Sequence, residues 1–179
     1  KLGAKIRIKD GYIIAEAKNG LKGNIIKFPS ISVGATENAL LAAAKAEGTT
    51  VLKNCAIEPE VKDLIKFLKK LGLIINLKGR NIIIKHRKIK NLQIIHSVIF
   101  DRIELGTYLI ASALQVKNNI TIDKIDPKII KSEINILKKI GVKIKQKKTS
   151  IIIKKNKKLK NINISTKPYP GFPTDLQAQ

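Results

Sequence analysis

Aromatic residues are scarce, at 4% of 179 residues, so any core has to be built from aliphatic side chains. Cysteine occurs once, as Cys55, which excludes an internal disulfide framework. A lone cysteine in an aliphatic stretch reads as a small buried hydrophobe. A nucleophilic thiolate needs an activating neighbour, and neither His86 nor His96 lies close to it in sequence. No apolar run approaches the roughly 18 residues that a membrane span requires. The longest strings, Ile82-Ile83-Ile84 and Ile151-Ile152-Ile153, read as strands. No signal peptide or lipidation motif is visible, and neither a Walker lysine nor a GxGxxG spacing is present.

Arginine is also rare. It stands only at 7, 80, 87 and 102, which leaves 32 of the 36 basic residues as lysine. A formal net charge of +23 suggests a polyanion partner. Readers of phosphates and bases favour the planar arginine fork, however, and these lysines are spread along the whole chain. Lys, Ile and Asn share A/T-rich codons, so base composition explains the charge better than ligand choice. The densest basic stretch, residues 143–160, is the best place for a polyanion site, but it has no aromatic ring for base stacking.

What is present is an internal repeat, the feature to seek before single motifs. Lys1-Leu2-Gly3 recurs as Lys70-Leu71-Gly72 and as Lys139-Ile140-Gly141, 69 residues apart each time. Tyr12-Ile13-Ile14-Ala15, Asn81-Ile82-Ile83-Ile84 and Ser150-Ile151-Ile152-Ile153 keep that step, as do residues 40–44 and 109–113. Leu21-Lys22-Gly23 matches residues 90–91 one position off. Each copy predicts a helix over 36–47 capped by Gly48, a strand over 50–53, and a second helix opened by Pro59. Val61, Leu64, Ile65 and Leu68 form the buried stripe of that second helix, and Gly72 ends it. Three strands follow, over 73–77, 81–85 and 92–95. In the next copy Asp126-Pro127 opens the second helix, and Ile130, Ile134 and Leu137 are its stripe. The expected class is α/β, built from roughly 69-residue repeats of two helices and a small sheet. Lys1-Leu2-Gly3 reads as the last turn of a helix and residues 174–179 as the start of another, so both ends read as interior positions of a longer chain.

Three equivalent strand-to-helix junctions are candidate sites, and their equivalence predicts that they cluster on one rim. At residues 28–38, small residues at a helix start offer open N–H groups to a phosphate; an ordinary capped helix reads the same way. At Phe100-Asp101-Arg102-Ile103-Glu104 the charges fit either a local ion network or a polar cleft wall. At residues 168–175 three prolines stiffen the entry to Asp175, which is either an N-cap or a general base. Glu58 and Glu60 flank Pro59, where helix-dipole complementarity explains them.

Ser32-Val33-Gly34-Ala35-Thr36-Glu37-Asn38, Glu58-Pro59-Glu60, Asp101-Arg102-Ile103-Glu104-Leu105-Gly106-Thr107 and Pro170-Gly171-Phe172-Pro173-Thr174-Asp175-Leu176-Gln177-Ala178-Gln179 closely resemble, in order and spacing, blocks of the UDP-N-acetylglucosamine 1-carboxyvinyltransferases, a family of enolpyruvyl transferases. The resemblance implies a cytoplasmic transferase of peptidoglycan synthesis. It would move the enolpyruvyl group of phosphoenolpyruvate to the 3-hydroxyl of UDP-N-acetylglucosamine and release phosphate, with no cofactor, no metal and no membrane partner. It also implies inside-out α/β domains with the substrates in a cleft, residues 1–99 belonging to the first domain and 100–179 to the second, both incomplete. Asp175 matches the family's proposed general base at the sugar hydroxyl. Ser32, Val33 and Gly34 match the diphosphate-binding segment, and Glu58 and Asp101 match polar cleft residues. Ser30 and Ile31 stand where some members carry a lysine, which puts diphosphate affinity in question. The family's catalytic acid, a cysteine or aspartate on a mobile loop, maps before Lys1, and Cys55 does not match it; these 179 residues alone are therefore expected to show no turnover. Two rival readings remain. An enzyme acting on shikimate 3-phosphate is disfavoured by the last block. A basic nucleic-acid-binding repeat protein leaves the acidic junction residues unexplained.

Overall fold

A computed structural model describes residues 1–87, 93–114, 118–154 and 158–179. The repeat match at 90–91, the first residue of the strand expected at 92–95, and residues 155–157 of the basic stretch lie outside the described residues. The chain is α/β, as the repeat leads one to expect, and divides into two compact units, Lys1–Val98 and Ile99–Gln179, each with its own aliphatic core.

The first unit opens with an antiparallel hairpin, β1 (Lys5–Lys9) and β2 (Tyr12–Glu16). Asp10 and Gly11 turn it with φ of +50° and +80°, the left-handed pair that matches strand twist in a tight hairpin. No helix is present at Lys1-Leu2-Gly3. β3 (Ile25–Lys27) leads into α1 (Val33–Lys45). This helix starts three residues before the expected Thr36, because Ser32 caps it: the Ala35 N–H donates to Ser32 Oγ at 3.3 Å. It closes at Ala46, and Gly48 is not its cap; the positive φ of Gly48 instead serves the turn into β4 (Thr49–Lys53). α2 (Pro59–Lys70) begins at its proline and ends before Gly72, whose left-handed backbone sends its N–H to the Lys69 carbonyl. β5 (Ile74–Lys78) and β6 (Asn81–Lys85) complete a sheet of order β3-β4-β6-β5, with β3 parallel to β4 and the other pairs antiparallel. Ile82 and Ile84 point inward from β6 onto Leu40, Leu52, Val61, Ile65 and Leu68; Leu64 is only half-buried.

The second unit repeats the plan. α3 (Arg102–Leu114) precedes β7 (Ile120–Asp123), α4 (Lys131–Ile140), β8 (Lys143–Gln146) and β9 (Ser150–Lys154), with sheet order β7-β9-β8. Asp126 caps the start as expected, accepting from the Lys128 N–H at 3.0 Å, but Pro127–Ile130 winds as a 3-10 turn before α4. Ile130, Ile134 and Leu137 are buried.

The step of the repeat holds in the pairing. Ile75 faces Ile84 and Ile144 faces Ile153, so both partners advance by 69 residues. Leu52 faces Ile82 whereas Ile122 faces Ile151, so β7 lies 70 residues after β4. A one-residue slip inside a strand would turn its inner side chains outward, so the extra residue has to fall in the connection before β7.

One departure from the repeat separates the copies. β3 leaves its own copy to pair with β4 of the next, and Gly23 permits the approach, since a Cβ there would sit 2.4 Å from the Thr49 carbonyl oxygen. Residues 94–96, one step after β3, form no strand, and neither does residue 93, contrary to the strand expected over 92–95. They lie against α2 instead. His96 Nε2 is 3.0 Å from Asp63 Oδ2, the His96 ring meets Phe67 edge-on at 5.3 Å, and Lys70 Nζ donates to the Ile95 carbonyl at 3.0 Å. Asp63, Phe67 and Lys70 recur at helical spacing, so one face of α2 holds this segment side-on and leaves it no ladder partner.

Candidate functional site

In the first unit the junction after β3 is fastened to the loop before α2. The Phe28 N–H donates to the Lys53 carbonyl and Asn54 Nδ2 to the Phe28 carbonyl, both at 3.0 Å. Asn54 takes a left-handed φ of +61°, a conformation asparagine tolerates better than most residues. Thr36, fully buried, accepts from the Ala56 N–H at 3.0 Å and donates to the Ser32 carbonyl at 2.7 Å. This lock was not foreseen from sequence, where Thr36 stood only as the first residue of the expected helix and within the block of residues 32–38.

The result is a rigid start to α1. Helix geometry leaves the N–H groups of Val33 and Gly34 without an intrahelical acceptor. Gly34 is exposed, and nothing lies within 4 Å of where its Cβ would be. An anion meets partial positive charge and open backbone donors there. Glu58 sits close by at the start of α2, buried, and makes no capping hydrogen bond. Burial raises the pKa of Glu37 above its ordinary 4.5, and the charges of Glu60 and Glu58 push the same way. Ser32, Val33, Gly34 and Glu58 are thus brought to one corner of the unit.

The linkage for Glu37 has a definite sign. Folding tightens its proton, so its contribution to stability is present below pH 4.5 and is lost as pH rises through the higher folded value. Glu37→Gln is therefore expected to raise the melting temperature at pH 7 and to leave it unchanged near pH 3.5. Thermal unfolding at the two pH values checks this.

In the second unit Asp101 stands 69 residues after Ser32 and does the same work: its Oδ1 accepts from the Ile103 N–H at 2.7 Å and the Glu104 N–H at 3.1 Å. Asp175 is placed differently. It lies in the 3-10 turn Thr174–Leu176, whose N-cap is Pro173, with no side-chain capping bond. The N-cap alternative for Asp175 therefore does not apply, and its carboxylate is exposed. An open cavity of about 490 Å³, lined by Ile164, Ser165, Thr166, Phe172 and Gln177, adjoins this turn. Cys55 is fully buried in the first core, and burial pushes its thiol up to about 11, so it is closed to chemistry. Among the described residues no cluster of His, Cys, Asp or Glu is arranged to hold a metal ion, and no helix is long and apolar enough to cross a membrane.

The chain matches known proteins along its whole length. The family model of EPSP synthase (3-phosphoshikimate 1-carboxyvinyltransferase) matches residues 1–179. The UDP-N-acetylglucosamine 1-carboxyvinyltransferase of Pelagibacter ubique is 56% identical over 180 residues, covering 100% of this chain and 43% of that protein. The protein of the same name from Endomicrobium trichonymphae is 48% identical, again over 100% of this chain and 43% of its own length. The chain thus spans less than half of these relatives. Among solved structures, the enolpyruvyl transferase NikO from Streptomyces tendae superposes with a TM-score of 0.82 at 24% identity, covering 98% of this chain and 45% of that one. EPSP synthase from Acinetobacter baumannii superposes at 0.62 with 20% identity, over 92% of this chain and 39% of that one. These two likenesses bear on the fold alone.

Proposed function

Since the chain belongs to the EPSP synthase family of enolpyruvyl transferases, we propose that it forms part of an enzyme that transfers the enolpyruvyl group of phosphoenolpyruvate to the 3-hydroxyl of UDP-N-acetylglucosamine, in the cytoplasmic supply of peptidoglycan precursors. The observation that carries this reading is Asp175: an exposed carboxylate on a stiffened turn whose flanking Phe172 and Gln177 line an open cavity, and which is not the N-cap of that turn. High identity to transferases named for that acceptor supports the choice of UDP-N-acetylglucosamine over shikimate 3-phosphate.

Each unit carries residues with a proposed role. The α1 start, with Ser32, Val33 and Gly34, binds the diphosphate through backbone N–H groups and the helix dipole. Glu58 and Asp101 line the polar surroundings of the substrates. Asp175 removes the proton of the sugar hydroxyl as that oxygen bonds to C2 of phosphoenolpyruvate, while an acid delivers a proton to C3. Loss of the C3 proton and cleavage of the C2–O bond then expel phosphate and restore the double bond. Cations around phosphate and carboxylate stabilise the charge that builds up. Ser30 and Ile31 supply no charge beside the diphosphate segment.

The test transplants these 179 residues into the P. ubique relative in place of its matching segment. Phosphate release is expected with phosphoenolpyruvate plus UDP-N-acetylglucosamine, and none above background with shikimate 3-phosphate. Release with shikimate 3-phosphate instead, or with neither acceptor, would overturn the proposal.

A further inference from the structure

We propose that the first turns of α3 form a positioning platform for Asp175, in which Gly106 seats Leu176 and Arg102 restrains Tyr169. The proposal rests on the reading of Asp175 as the base. It assigns to Gly106 and Arg102 a task that their place in the repeat does not require.

Asp175 is exposed and stands inside the turn, after its N-cap Pro173, so its flanks have to fix its position. The next residue, Leu176, is 2% exposed. It lies so close over α3 that a Cβ on Gly106 would stand 2.4 Å from Leu176 Cδ1, 3.2 Å from Cδ2 and 3.4 Å from Cγ. All three atoms belong to one enclosed side chain, so its methyl groups have little room to turn aside, and the proposal is that the turn carrying Asp175 shifts with them. On the other flank, Arg102 is largely buried and its guanidinium carbon is 5.9 Å from the centre of the Tyr169 ring, within the range of cation–π attraction. Between them the turn is closed by the Lys167 N–H to the Phe172 carbonyl and the Gly171 N–H to the Pro168 carbonyl, both at 2.9 Å. Ser132 Oγ of the neighbouring helix reaches the Gly171 carbonyl at 3.1 Å.

The repeat supplies an internal control. One step earlier, α1 carries Glu37 where α3 has Gly106, and Val33 where α3 has Arg102. The helix therefore does not itself need a glycine there, and a glycine within a helix weakens it. What differs is the neighbour: α3 carries the turn of Asp175.

The experiment has two arms. In the 179-residue chain, Gly106→Ala is expected to speed amide exchange about tenfold across residues 171–177, with the core of β9 unchanged. Leu176→Ala added to Gly106→Ala makes room for the new methyl group and is expected to restore much of the protection. Unchanged exchange at 171–177, or equal loss throughout the second unit, would overturn the platform. In the transplanted enzyme, Gly106→Ala is expected to lower kcat at least tenfold while KM for UDP-N-acetylglucosamine changes less than twofold, with partial recovery in the double variant. A fall in KM-dependent binding with kcat intact would show that Gly106 does not position the base. If the unsubstituted transplant releases no phosphate, the functional reading fails, and the exchange arm still decides whether α3 holds the turn.

Discussion

Replacing Asp175 with Asn in the transplanted enzyme is expected to cut phosphate release by about 100- to 10,000-fold, the range over which a positioned acid or base contributes. Asn has the same shape and cannot accept the hydroxyl proton as a carboxylate does. KM for UDP-N-acetylglucosamine should stay within a few-fold, because the substitution leaves the proposed diphosphate site at the α1 start intact. Asp101→Asn provides the contrast. Asn is also a good N-cap, and Asp101 already accepts two backbone N–H bonds, so its loss should be far milder. Steady-state phosphate release checks both; equal losses would remove the case for Asp175 as the base.

The second large effect concerns stability. Ile82 is fully buried on β6, the strand flanked by β4 and β5, and it faces Leu52 across the ladder. Ile82→Ala is expected to cost about 2–5 kcal/mol, since truncation loses transfer energy and leaves a cavity that close packing only partly fills. Ile83→Ala, one residue on, should cost much less, because Ile83 points to the outer face and is 38% exposed. Denaturant unfolding of the two variants separates these outcomes. Similar losses would mean that the alternation along β6 does not describe its two faces.

Much of this fold was legible in the sequence because its signals are local. The proline at 59, the glycine at 72 and the stripe of Val61, Ile65 and Leu68 mark α2 without reference to anything distant. The isoleucine strings at 82–84 and 151–153 landed in strands at the expected step. The misreadings have two causes, a cap next door and a partner far along the chain. The α1 start moved to Val33 because the neighbouring Ser32 side chain accepts from the Ala35 N–H. The strand expected after residue 92 lost its ladder to the Asp63–His96 contact with α2. In the site, the junction blocks nominated Ser32, Asp101 and Asp175, and the resemblance gave the two aspartates different roles, but it did not show which of them caps a helix. One is occupied with capping and the other is spared, and that is a matter of geometry. Gly106 was quoted within a motif and given no role, although a glycine standing where the preceding copy has Glu37 was a visible departure.

The hand-over of β3 to the following copy carries a consequence for dissection of the molecule. A piece begun at Val33 would contain every helix of the first full repeat, yet one side of β4 would be stripped of Ile25, Ile26 and Lys27. Bare main-chain donors and acceptors along that side invite pairing with another molecule. A piece begun a dozen residues sooner carries its own cover, so the natural cutting point of this architecture does not coincide with the period of its repeat.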